Sequence, residues 1–183
     1  MSCRLGENVK SDGRIFAMGL ILLVSCTLSG CVSTHGKNGA REQIVGAWRL
    51  ESRTVRKANG EILLDPVLGT QPIGRLFYDA SGIMMLQMMR PGRAQSIGVP
   101  SNPEDAKNPR IVLGYDAYFG SFTVNEVEGT ITHHVEGSLF PEDLGKDFTR
   151  LFKVEGDTFT LSFTSKSPDG AEVTRTLVFR RSK

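Results

Sequence analysis

Cysteine is what this 183-residue sequence runs out of: Cys3, Cys26 and Cys31 are all it holds. From residue 32 to residue 183 no disulfide, thiolate metal site or cysteine nucleophile is available, so core burial must hold that stretch together. An excess of charge is missing as well. Lys and Arg number 22 against 20 Asp and Glu, and no basic stripe marks a nucleic-acid partner. The longest apolar run, residues 15–24 with Gly19 inside it, falls short of the about 20 residues a spanning helix needs. A phosphate-cradling glycine loop, a nucleophile elbow and a paired-carboxylate motif are absent too, so no motif commits the chain to an enzymatic reaction. Histidine is scarce: His35, His133 and His134. A zinc site on His134 and Glu136 would need a further ligand from another segment, so neither a metal nor another cofactor is expected.

What is present begins with a tripartite start. Lys10 and Arg14 precede the apolar run, and small and polar residues follow, ending in Leu28-Ser29-Gly30-Cys31. This is the pattern of a secretory signal, and residues 1–30 are expected to be removed. The last four residues resemble the lipobox of bacterial lipoproteins. That resemblance implies a diacylglyceryl group on the Cys31 sulfur, cleavage just before it, and a lipid membrane as partner. Leu23-Val24-Ser25-Cys26 fits the same loose pattern, but cutting there would shorten the apolar region and strand Cys31 as a free thiol. Cys31 is therefore preferred. Val32 stands where an Asp would signal inner-membrane retention, so the resemblance points to the outer membrane, facing the periplasm. Residues 31–41 are polar and read as a tether, ahead of a domain over residues 42–183. A flexible tether of that length spans roughly 15–20 Å.

From Ile44 onward the pattern is two-residue alternation broken by turn signals. It predicts strands over residues 48–57, 62–64, 75–78, 83–89, 121–125, 130–136, 150–154, 158–164 and 173–180. Asn59-Gly60, Asp79-Ala80-Ser81-Gly82, Glu128-Gly129, Gly156-Asp157 and Pro168-Asp169-Gly170 are the intervening turns. About eight or nine successive antiparallel strands are most stable when closed, so the expected fold is an all-β up-and-down barrel. Residues 91–114, with four prolines, interrupt the strands. Pro103-Glu104-Asp105-Ala106 reads as a helix start. This insertion is either a lid over one mouth of the barrel or an irregular surface loop.

Gly46-Ala47-Trp48 opens the first strand and resembles the Gly-x-Trp motif with which lipocalins begin their barrel. That resemblance implies that Trp48 closes one end, with an arginine from the last strand packed across it. Arg180 and Arg181 are the available partners, and Arg180 is taken as the closing residue. More specifically, the chain resembles the bacterial lipocalin-like domain family. The matching stretches are Gly46-Ala47-Trp48-Arg49-Leu50, Met88-Met89-Arg90-Pro91, Ala117-Tyr118-Phe119-Gly120 and Thr132-His133-His134-Val135-Glu136-Gly137-Ser138. The resemblance implies a calycin-type barrel and leaves the function open.

The most polar constellation is His133-His134-Val135-Glu136. Alternation puts His134 and Glu136 on one strand face and His133 on the other. Facing inward, His134 and Glu136 would hydrogen-bond and contact a ligand or act as an acid–base couple; facing outward, they are a solvated feature. Arg90 at a barrel mouth offers a planar fork to an anionic ligand, or a partner to Glu136. Met88, on a methionine-rich strand, suits an adaptable apolar pocket or plain core. Tyr78 and Tyr118 offer rim hydroxyls or interface aromatics. These six residues are the candidate ligand contacts. The leading expectation is a membrane-anchored barrel that binds a small, largely apolar molecule without turnover. A cyclase or isomerase using His134 and Glu136, and an envelope structural protein with a filled barrel, are the alternatives. The sequence does not give the oligomeric state.

Overall fold

Alternating apolar and polar side chains become nine strands in the computed structural model, which describes residues 39–93, 107–167 and 169–183. The signal, Cys31 and the expected helix start at Pro103 lie outside the described residues. A one-turn helix α1 (Ala40–Ile44) takes in Ala40 and Arg41, read from the sequence as the end of the tether. The strands are β1 (Gly46–Lys57), β2 (Ile62–Leu63), β3 (Ile73–Tyr78), β4 (Ile83–Met89), β5 (Tyr115–Asn125), β6 (Thr130–Ser138), β7 (Asp147–Glu155), β8 (Thr158–Lys166) and β9 (Glu172–Arg181). A short helix α2 (Pro109–Leu113) precedes β5, and a 3₁₀ turn (Pro141–Asp143) follows β6.

Neighbours in sequence pair antiparallel from β3 through β9, and β1 pairs with both β3 and β9. Eight strands thereby close into a barrel, and β2 is an extra strand laid on the far end of β1. The β1–β9 seam runs from Trp48↔Arg181 to Lys57↔Val173, with a bulge between Leu50 and Ser52. Closure satisfies the backbone donors that an open sheet would leave at its edges. The inner face follows the two-residue period. On β4, Met84, Leu86 and Met88 are buried while Ile83, Met85 and Gln87 are exposed. Each such fully buried side chain contributes about 1.5–3 kcal/mol.

Strand β5 begins six residues before the expected 121–125. Two glycines, Gly114 and Gly120, bracket the part of the strand that alternation did not reveal. In the structure Gly114 is the left-handed cap of α2, and Gly120 lies at a bulge where a Cβ would overlap the His134 carbonyl oxygen. The glycine permits close approach of two strands rather than ending one. Asn108 starts α2 by accepting a hydrogen bond from the Arg110 N–H at 2.9 Å.

One end of the barrel is plugged. Ile44, Trp48, Phe159 and Phe179 are fully buried there, and the Trp48 indole donates to the Ile44 carbonyl at 2.7 Å. The Arg181 guanidinium lies 4.2 Å from the Trp48 ring centre and donates to the carbonyls of Val45 (3.0 Å) and Gln43 (2.5 Å). This corrects the assignment to Arg180. Trp48 and Arg181 are cross-strand partners and share the inner face; Arg180 points outward and pairs with Glu51 at 3.4 Å. Arg181→Ala is expected to cost about 2–4 kcal/mol, losing a cation–π contact and two charged hydrogen bonds. Arg180→Ala should cost less than about 0.5 kcal/mol, as an exposed pair does. Urea unfolding of both variants checks the ranking, and equal losses would contradict it.

Candidate functional site

The end opposite Trp48 is built from charge. Strand direction brings the start of β5, β7 and β9 and the end of β1 and β8 to this mouth, along with α2 from the long insertion. Asp65 is buried there between two arginines, 3.0 Å from Arg53 and 2.9 Å from Arg175. Its other oxygen accepts from the Val67 and Leu68 N–H groups at 2.9 and 3.0 Å. That carboxylate is fully satisfied. Arg53 is not: its Nε has no hydrogen-bond partner among the described residues, and burial lowers its pKa against the attraction of Asp65. Asp116 lies nearby with Oδ1 also unpartnered, since the 3.6 Å to Arg110 is beyond hydrogen-bond range. Burial raises the Asp116 pKa, and Arg110 and Arg53 pull it back.

Arg150 stands out in this group. It is 9 % exposed and makes no salt bridge among the described residues. Its one hydrogen bond among the described residues goes to the Phe148 carbonyl at 2.9 Å, and its guanidinium lies 4.8–6.0 Å from the ring centres of Phe163, Phe148 and Tyr118. These groups surround a cavity of about 400 Å³. Arg110 of α2 reaches its rim and holds Asp143 and Glu142 of the 3₁₀ turn. The described part of the insertion therefore lies at one mouth of the barrel, as the lid alternative would place it.

Between the aromatic plug and the charged mouth sits His133, completely buried. The Tyr78 hydroxyl is 2.6 Å from its Nε2 and the Tyr118 hydroxyl 2.9 Å from its Nδ1. Burial, then the charge of Arg150, holds the imidazole pKa well below its ordinary value, so the ring is neutral. Burial raises both tyrosines, Tyr118 to about 12, so both hydroxyls keep their protons. A neutral ring donates once and accepts once. Each tyrosine has the imidazole as its one hydrogen-bond partner among the described residues, but Tyr78 is completely buried whereas Tyr118 lines the cavity, so the arrangement that strands neither proton sends the Tyr78 proton to Nε2. Nδ1–H then donates to the Tyr118 oxygen, and the Tyr118 proton is left free to point into the cavity that Tyr118 lines.

Of the sequence candidates, Tyr78, Tyr118 and Met88 face the interior. His134 and Glu136 do not: they lie on the outer wall, which removes the acid–base couple proposed for them. His134 bonds Asp147 through Nδ1 at 2.7 Å and Thr123 at 3.1 Å, and Glu136 is exposed. The reason is register: Ile131, His133 and Val135 carry the apolar inner parity of β6. Arg90 is spent on structure, reaching the carbonyls of Ile111 (3.3 Å) and Val67 (3.5 Å) and bracing α2 against the loop after β2.

Sequence reasoning missed Arg53, Arg150 and Arg175. A signal existed, since Arg150 lies two residues from Phe148 and Phe152, and Arg175 two from Val173 and Leu177, which is inner-face parity. Two further features lie on the wall. A depression of about 440 Å³ opens where β1 and β3 part, lined by Leu50, Ile73, Gly74, Gln87, Met88 and Tyr115 among others. Phe77, Met85 and Phe119 form an exposed apolar row across β3, β4 and β5. Neither gathers buried charge, so the mouth is the site with chemical character.

His133 makes stability depend on pH. Its folded-state pKa is depressed, so below about pH 6.5 the unfolded chain binds the proton better. Its contribution is complete above that pH and falls on acidification, by up to about 1.4 kcal/mol per pH unit. Urea unfolding between pH 7 and 5 should show this slope, and His133→Gln should flatten it. An unchanged slope in the variant would refute a neutral buried imidazole.

No curated protein matches the chain in sequence. A family model described as the lipocalin-like domain matches residues 45–182, from the residue before β1 to the residue after β9. The match spans the whole closed barrel together with its Trp48–Arg181 plug, and on that ground this chain belongs to the lipocalin-like domain family.

Proposed function

We propose that this protein binds a small molecule in the open mouth of its barrel, without turnover. The observation that carries this reading is the cavity of about 400 Å³ edged by buried polar atoms that the described residues leave unpartnered. Unsatisfied buried groups cost about 1–3 kcal/mol each, and a bound molecule that pairs with them recovers that cost. Barrels of about eight strands hold one small ligand or fill with side chains, and this one is filled at the Trp48 end only. The ligand's body packs on Tyr118, Phe148 and Phe163, which keeps the expectation of an apolar portion. Its family membership supports the same reading, since a lipocalin-like barrel suggests small-ligand binding.

In this proposal the barrel works at the cell envelope, held to the membrane by a lipid on Cys31, as the lipobox-like Leu28-Ser29-Gly30-Cys31 suggests. Intact-mass measurement should find a mature chain starting at acylated Cys31. Cys31→Ala should abolish the lipid and Cys26→Ala should not; the reverse pattern would move the anchor. Solvent extraction of the purified protein should release one small molecule, at a lower level in Phe163→Trp, whose larger ring narrows the cavity. An empty wild-type extract would contradict ligand binding at the mouth and leave the apolar row of Phe77, Met85 and Phe119 as the working surface.

A further inference from the structure

The charges around the mouth do not cancel. The buried and half-buried groups there are Arg53, Arg110, Arg150 and Arg175 against Asp65, Asp116 and Asp143, which leaves one positive charge in excess. Glu142, Lys146 and Asp147 at the rim are more than half exposed and are screened by solvent. The excess is localised. Arg53 and Arg175 share Asp65, and Arg110 is held by Asp143, whereas Arg150 has no carboxylate within salt-bridge distance among the described residues. A guanidinium this buried and unpaired is costly unless something neutralises it.

A second donor faces the same space. The tautomer imposed on His133 by Tyr78 frees the Tyr118 proton, and Tyr118 and Arg150 both line the cavity. Tyr118 has no other acceptor for that proton among the described residues, so an acceptor from outside the chain completes the network.

We propose that the ligand of the mouth carries a single carboxylate, or a comparable monoanionic head, bound by Arg150 and Tyr118, with its apolar body against Phe148 and Phe163. This rests on the mouth being the binding site. One negative charge balances the cavity, and a dianion would overshoot it. A carboxylate accepts from the planar fork of an arginine and from a hydroxyl at once. His133 contributes by position: it fixes which way the Tyr118 hydroxyl donates without touching the ligand.

Isothermal titration of the full-length protein in lipid nanodiscs, against empty nanodiscs, tests this with probes differing only in the head. The probes are 5-phenylpentanoate, 5-phenylpentan-1-ol and 5-phenylpentyl phosphate. The acid should bind about tenfold or more tighter than the alcohol, and no more weakly than the phosphate. Arg150→Gln should remove that preference, and Arg150→Lys should restore part of it. Tyr118→Phe should weaken the acid alone by about threefold to tenfold. Circular dichroism confirms that each variant is folded. Equal binding of acid and alcohol, untouched by Arg150→Gln, would overturn the anionic head while leaving the mouth as a site. Phosphate binding about tenfold tighter than the acid would overturn the single charge. Binding of none of the probes would overturn the mouth site and this proposal with it.

Discussion

The imidazole of His133, held between the hydroxyls of Tyr78 and Tyr118, is the constraint around which the interior is arranged. Three polar groups sit here in a core of otherwise apolar side chains, and each is tolerable only because the other two are present. Tyr78 packs edge-on against Phe122 and Phe159 on the plug side, and Tyr118 packs against Phe148 on the mouth side. The trio is therefore a boundary. On one side the barrel is filled with aromatic rings; on the other it holds arginines, carboxylates and a cavity.

Such a boundary is stable only inside a closed wall. The β1–β9 seam leaves no edge through which the sheet can open, and the Trp48–Arg181 contact ties the seam to the chain entering β1. With one end sealed and the wall closed, the other end can carry buried charge close to solvent. This division of labour is thermodynamic. The plug and the apolar layers supply stability, and the mouth uses part of it to hold groups that would prefer water.

The sequence made the barrel legible because alternation and turn signals recur along nearly its whole length, and the structure finds strands in every predicted segment. It hid the first half of β5, since Gly120 at a bulge looks like a breaker when its role is to let two backbones approach. The resemblance to the lipocalin Gly-x-Trp motif implied that Trp48 would meet an arginine, and strand parity decides for Arg181 over Arg180. The site was harder to see. His134 and Glu136 attract attention as a polar pair, yet the apolar parity of Ile131, His133 and Val135 sends them outside. Arg53, Arg150 and Arg175 look like surface residues by type; apolar neighbours two residues away mark Arg150 and Arg175 as inner, while the bulge between Leu50 and Ser52 hides the parity of Arg53. Single-residue chemistry misleads where the period of the strand is ignored.

Nitrogen-15 NMR of the His133 ring tests the account most directly. The predicted result is a neutral imidazole protonated at Nδ1 with Nε2 as acceptor, unchanged from pH 8 to well below the ordinary histidine pKa. A ring protonated at Nε2, or one that takes up a second proton near about pH 6.5, would contradict it. Either outcome would turn the Tyr118 hydroxyl away from the mouth or put charge where the structure excludes it.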